Sequence, residues 1–223
     1  MYMYGDPILL ASESPRRASI LESLHIPFMT VVPRIDEQIF DHLDPGERVV
    51  ALAATKARRG KERWIECKKQ YSGSRPESME RLSKPRFALG ADTLVAFKTA
   101  EGWHTIGKPI DEQDAYAMLT MEAGNRQYVF SGLCLLNMEN DMPHVALSVS
   151  EVQFSPMSAS DIAWYVRLGE WKGAAGAYRI QGAGSFFIED IKGSFSGVMG
   201  LPIRELYGIL RQSGYLSSEE IQG

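Results

Sequence analysis

Arg16 and Arg17 stand side by side in the stretch Ile8-Leu9-Leu10-Ala11-Ser12-Glu13-Ser14-Pro15-Arg16-Arg17. Guanidinium is planar and permanently charged, and its paired donors suit phosphate oxygens. Ser12 and Ser14 add hydroxyl donors beside them. Ile8–Leu10 reads as a short buried strand, and Ala18–Leu24 as an amphipathic helix with Ile20, Leu21 and Leu24 on one side. Ser14 suits the N-cap and Pro15 the first helical position. Both arginines then fall in the first turn, where a cation costs roughly 0.3–1 kcal/mol against the helix dipole. Either a bound polyphosphate outweighs that cost, held by the free N–H groups of the helix start, or both side chains run sideways into solvent. On either reading, replacing them with alanine costs the fold little stability. There is no Walker pattern, so the stretch is not a P-loop.

Phosphoryl chemistry also needs carboxylates, to hold a divalent cation and activate water. Asp36-Glu37 and Asp92 are the candidates. Asp92 lies in Leu89-Gly90-Ala91-Asp92-Thr93-Leu94-Val95, where a lone charge is expensive to bury unless it is paired, bound to metal or capping a turn. Lys108, between Gly107 and Pro109, stands on a rigid turn at a strand end; Lys56, in the middle of a helix, reads as either a phosphate contact or a solvated lysine. The glycine-rich run from Gly173 to Gly184 surrounds Gln181, whose amide can donate and accept as a nucleobase edge requires. The four histidines have no metal-ligand spacing.

The elements that must position these groups alternate. A helix is expected over Asp44–Arg59, then a frayed helix end and a long polar loop over Lys61–Arg86. A strand from Phe87 through Phe97 pairs back with Trp103–Ile106 as a hairpin. A helix over Asp111–Met121 follows, then strands Tyr128–Leu136 and Val145–Phe154. Ser158 and Asp161 spell a capping box; a strand is expected at Phe186–Glu189 and a last helix from Pro202 to near Gly214. The pattern is α/β with a mixed sheet and a site where loops leave the strand ends.

Bulk properties narrow the function. The chain has 223 residues, 44% hydrophobic and 23% charged, enough apolar mass for a proper core. No apolar run suffices to span a membrane, and residues 1–10 do not read as a secretory signal. The net charge of −4 argues against nucleic-acid or anionic-membrane binding, so an anion site must be local. Two distant cysteines fit a reduced, cytoplasmic compartment.

Taken together, LASESPRR, Asp36-Glu37, LAATKA, GADT, GKP, GAYRIQG and GVMGLP resemble, in order and from Leu10 to Pro202, the Maf family of nucleoside triphosphate pyrophosphatases. The resemblance implies one domain over residues 1–223, with 61–86 as an extended loop insertion. Its fold would be an elongated α/β structure, a central mixed sheet flanked by helices, with two lobes and a cleft between them. It implies hydrolysis of a nucleoside triphosphate to the monophosphate and pyrophosphate with Mg²⁺ or Mn²⁺, and allows a homodimer. Carried over by motif, Asp92 would activate water near the metal, Glu37 would share metal or water positioning, and Lys108 would join them at the reacting phosphates. Ser12, Ser14, Arg16, Arg17 and Lys56 would bind the triphosphate. Arg16, Thr93 and Gln181 fall where the family chooses its substrate, and AYRIQG looks like the dTTP and UTP branch. The alternatives are the same reaction on 7-methyl-GTP or a modified nucleotide, and a non-enzymatic nucleotide-binding regulator of division. Gln127 and Ser131 stand where the family often has His and Thr, and neither receives a role.

Overall fold

The structure, a computed structural model, describes residues 6–70 and 84–216. In chain order the elements are β1 (Ile8–Ala11), α1 (Pro15–Ser23), β2 (Phe28–Val31), α2 (Pro45–Gln70), β3 (Phe87–Thr99), β4 (Gly102–Ile106), α3 (Glu112–Glu122), β5 (Arg126–Asn137), β6 (Pro143–Phe154), α4 (Ala159–Leu168), β7 (Ile188–Lys192), α5 (Phe195–Met199) and α6 (Ile203–Gln212). The strands form one seven-stranded mixed sheet in the order β2-β1-β3-β5-β6-β7, with β4 folded back on the far half of β3.

β1 is parallel to β2 and to β3, and all four of its residues are buried. A strand flanked on both edges and both faces must be apolar throughout, as Ile-Leu-Leu-Ala is. Alternation sends Ile8 and Leu10 into a core with Ile20, Leu21 and Leu206 beneath α1 and α6, while Leu9 joins Ala53, Ala57 and Cys134 beneath α2. A third core, of Val95, Leu119, Val129, Ile162 and Tyr165, gathers α3 and α4 onto the other end of the sheet.

Two glycines let α2 lie directly on the strands. A Cβ on Gly90 would stand 2.0 Å from the carbonyl oxygen of Ala53, and one on Gly132 2.4 Å from that of Val49. Such contacts are backbone against backbone, so nothing larger than glycine fits.

Three elements differ from the sequence reading. The expected frayed end is continuous helix, since α2 runs to Gln70; of the remaining proposed insertion, residues 71–83 lie outside the described residues and 84–86 lead into β3. The strand placed at Phe186–Glu189 starts at Ile188, because Phe154 pairs with Ile188; residues 183–187 form a 3₁₀ turn instead. β2 had no sequence signal of its own: four residues are too few to show a period. The capping box is present as written, with Ser158 Oγ accepting from the Asp161 N–H at 3.2 Å and Asp161 Oδ2 accepting from the Ser158 N–H at 2.8 Å.

Candidate active site

β1 and β4 border the same edge of β3 but do not meet. The β1 pairing ends at Ala11 opposite Gly90, and the β4 pairing begins at Val95 opposite Ile106. Asp92 and Thr93 lie in the gap. Successive strand residues face opposite sides of a sheet, yet in an open gap both can border one hollow, and both line it here.

Asp92 meets α2. The core-facing stripe of that helix is Val49, Leu52, Ala53, Lys56, Ala57 and Gly60, so Lys56 is a lysine at a core position. Its residue exposure is 8% and that of Asp92 is 7%. Lys56 Nζ lies 2.6 Å from Asp92 Oδ1 and 2.6 Å from Glu37 Oε1. Glu37 is brought in from the turn before a short 3₁₀ segment, Gln38–Phe40, and its side chain is about half exposed. Burial pushes the Glu37 carboxyl up, but the Lys56 hydrogen bond and the charges of Lys56, Lys108 and Arg17 outweigh it and hold it below the ordinary glutamate value. Lys56 thus bridges two carboxylates instead of standing free for phosphate. Asp36 is elsewhere occupied, its Oδ1 accepting from the Gln38 N–H at 3.0 Å.

Arg17 departs furthest from the sequence reading. It is buried, on the side of α1 that carries Ile20 and Leu21. Its Nε donates to the Gly200 carbonyl at 2.9 Å, Nη1 to Ser12 Oγ at 3.2 Å and Nη2 to Thr93 Oγ1 at 3.3 Å. Burial lowers its pKa, with the charge of Asp92 acting in the opposite sense. Gly200, which presents that carbonyl, has a positive φ of 109°, a conformation that glycine adopts without strain. The first-turn position is therefore tolerated because the loop between β1 and α1, β3 and the loop after α5 jointly satisfy the side chain. Ser14 has N-cap backbone geometry but its side chain makes no cap; its N–H donates to Ser12 Oγ at 3.1 Å.

Arg16, one residue before Arg17, lines the same hollow. Its pKa is lowered by partial burial and by the neighbouring charge of Arg179. Lys108 is exposed on the loop after β4, which is pinned by a hydrogen bond from the Gly176 N–H to the Gly107 carbonyl at 3.0 Å. Two adjoining hollows, of about 300 and 430 Å³, share Ser14, Arg16, Arg17, Glu37, Lys56, Lys108 and Arg179. Thr93 and Gln181 belong to the first and Ser12 to the second. Every site residue named from the sequence therefore borders one continuous groove.

Several groups escaped the sequence reading. Arg179 lies within GAYRIQG, where no local feature separates it from a solvated arginine. Ser131 donates to the Gly197 carbonyl at 2.7 Å and lies 3.0 Å from Thr93 Oγ1. Behind the glycine-rich loop, Gln127 Nε2 donates to the Tyr178 hydroxyl at 2.7 Å. Glu122 is fully buried nearby and neither carboxyl oxygen has a hydrogen-bond partner among the described residues. Burial holds its pKa well above the ordinary glutamate value, and raises that of Tyr178, aided by the Glu122 charge.

This geometry accompanies extended similarity to known proteins. The family model described as Maf-like protein matches residues 7–213. A Treponema denticola protein named dTTP/UTP pyrophosphatase is 39% identical over 211 residues, covering 93% of this chain and 97% of its own. Proteins of the same name from Clostridium perfringens and Symbiobacterium thermophilum are 37% and 36% identical, over 91% and 93% of this chain and 95% and 94% of theirs. A solved structure of a Mycobacterium abscessus nucleoside-triphosphatase, dITP/XTP pyrophosphatase, covers 68% of this chain and 75% of its own at 13% identity and a TM-score of 0.36. The motif-bearing groove and the match along nearly the whole length lead to one conclusion: this chain belongs to the Maf family.

Proposed function

We propose that the chain hydrolyses pyrimidine nucleoside triphosphates, dTTP and UTP, to the monophosphate and pyrophosphate. The observation that carries the reading is the Asp92–Lys56–Glu37 triad at 2.6 Å spacings inside a groove bordered by Arg16, Lys108 and Arg179. The names of the relatives supply the substrate class. The residues at the triad fit a divalent cation. Two carboxylates converge on one positive atom, and no group of three or more ligating side chains is found among the described residues. Mg²⁺ is characteristically held by one or two carboxylates, with substrate phosphates and waters completing the shell. Asp92 and Glu37 would hold it, and when bound it would neutralise phosphate charge and acidify water.

The remaining work falls to the chain. On this reading Thr93 and Gln181 take the nucleoside, and Arg16, Lys108 and Arg179 on the same hollow take the phosphates. Asp92, adjacent to Thr93 in sequence and on the same hollow, would then lie near the α-phosphorus of a bound nucleotide. Its carboxylate takes the proton of the attacking water. Arg16 and Lys108 hold the charge that builds on the departing pyrophosphate. Asp92 Oδ1 is engaged by Lys56 at 2.6 Å, which orients the carboxylate. Incubation with a panel of nucleoside triphosphates and Mg²⁺ or Mn²⁺, reading pyrophosphate, tests the proposal. Pyrophosphate from dTTP and UTP ahead of CTP and purine triphosphates is expected; release of orthophosphate as the first product would reject it.

A further inference from the structure

We propose that Ser131 is a positioning residue for base selection: it fixes the direction of the Thr93 hydroxyl, so that Thr93 offers a bound base a lone pair and no proton. The inference rests on the pyrimidine triphosphate reading above and adds the means of discrimination.

Four groups form one hydrogen-bonded chain. Arg17 Nη2 is 3.3 Å from Thr93 Oγ1, Thr93 Oγ1 is 3.0 Å from Ser131 Oγ, and Ser131 Oγ is 2.7 Å from the Gly197 carbonyl oxygen. Both ends have fixed polarity, since a guanidinium only donates and a carbonyl only accepts. Ser131 has a single proton. Were it aimed at Thr93, its oxygen would face the carbonyl oxygen at 2.7 Å with no hydrogen between them. The Ser131 proton therefore goes to Gly197, and the bond between the hydroxyls runs from Thr93 to Ser131. Ser131 is 1% exposed, out of reach of bulk water that could redirect it. Thr93 then spends its proton on Ser131 and one lone pair on Arg17. One lone pair remains for the groove that Thr93 lines.

An acceptor of this kind selects by chemistry. Along its pairing edge, thymine or uracil offers two carbonyl oxygens and a single donor, N3–H. Cytosine has a lone pair at N3. Thr93 thus pairs with N3–H of the first two bases and opposes the third lone pair to lone pair. Gln181, on the same hollow, can serve an exocyclic oxygen with its amide protons. The wall behind this selection comes from the GVMG segment, whose Gly197 and Gly200 carbonyls anchor Ser131 and Arg17.

The test is calorimetric titration of UMP and CMP, which have no phosphoanhydride bond to hydrolyse, into wild type, Ser131→Ala, Ser131→Thr, Thr93→Val and the Thr93→Val/Ser131→Ala pair, each first checked by thermal melting. Wild type should bind UMP at least about tenfold tighter than CMP, the scale of one mismatched buried hydrogen bond. Ser131→Ala frees the Thr93 proton, and the ratio should fall by about fivefold or more. Ser131→Thr, which keeps the hydroxyl, should retain the wild-type ratio. In the Thr93→Val background, Ser131→Ala should leave the ratio unchanged, because Ser131 acts through Thr93. If the alanine variant melts early, Ser131→Cys, a weaker donor, replaces it and should give an intermediate ratio. A merely structural Ser131 would weaken both nucleotides alike. An unchanged ratio in Ser131→Ala, a further shift in the Thr93→Val background, or a wild type that binds CMP as well as UMP overturns the inference. These ratios are independent of pyrophosphate release, so failure of the proposed reaction is read separately.

Discussion

Lys56→Met removes the ammonium that joins Asp92 to Glu37 while keeping a straight apolar stem against Leu52 and Ala53. The two ion pairs differ in what they contribute. Glu37 has a side chain 52% exposed, so its pair belongs with surface pairs, worth about 0–1 kcal/mol. Asp92 is 7% exposed, and its loss of Lys56 leaves a buried charge uncompensated, which costs about 3–5 kcal/mol. Because Asp92 also lines the groove, the lower end applies, about 3 kcal/mol. For a chain of this length that corresponds to a fall in Tm of roughly 6–12 °C. Urea and thermal denaturation measure it. Adding Asp92→Asn to Lys56→Met should recover most of the loss, since the stranded charge is then gone. Mn²⁺ should raise the midpoint of Lys56→Met more than that of wild type, because no ammonium competes for the carboxylates. A loss below about 1 kcal/mol, or no recovery in the double variant, would refute the buried-pair argument.

Arg17→Ala should destabilise by about 2–4 kcal/mol in the absence of ligand, because three hydrogen bonds to Gly200, Ser12 and Thr93 disappear together; an unchanged or raised Tm would restore the simple helix-dipole reading. Glu122→Gln should stabilise at neutral and alkaline pH but not in acid. The folded-state pKa of Glu122 lies well above the ordinary 4.5, so the wild type has its full stability below that value and loses it as the pH rises through the window above. Denaturation curves at a series of pH values should show the two proteins diverging from about pH 5 upward; parallel curves would contradict the assignment.

Where chemistry is local, the sequence was readable. The hairpin of β3 and β4 and the capping box of Ser158 and Asp161 are set by residues a few positions apart, and both appear in the structure. The mixed sheet followed from the alternation of elements. The site residues could be named, but not what each one touches. Lys56 reads locally as a lysine in mid-helix, whereas its spacing from Leu52, Ala53 and Ala57 marks a core-facing position. Arg17 has the same relation to Ile20 and Leu21. Reading the charged residue into the apolar stripe would have found both. Other features depend on contacts distant in sequence and leave no local trace. The Gly200 carbonyl meets a side chain 183 positions away, and Ser131 joins Gly197 across 66. The start of β7 was misplaced for the same reason, since it is set by pairing with Phe154 and not by its own apolar run.

In the proposed reaction, water activated at Asp92 attacks the α-phosphorus of a bound pyrimidine nucleoside triphosphate. Hydrolysis of UTP in ¹⁸O-labelled water, with both products examined by mass spectrometry, tests it most directly. Attack at the α-phosphorus predicts one label in UMP and none in pyrophosphate, with Asp92→Asn slowed by about 10²–10⁴. Label found in pyrophosphate would mean attack at the β-phosphorus, and UDP with labelled orthophosphate would mean attack at the γ-phosphorus. Either result would contradict the account.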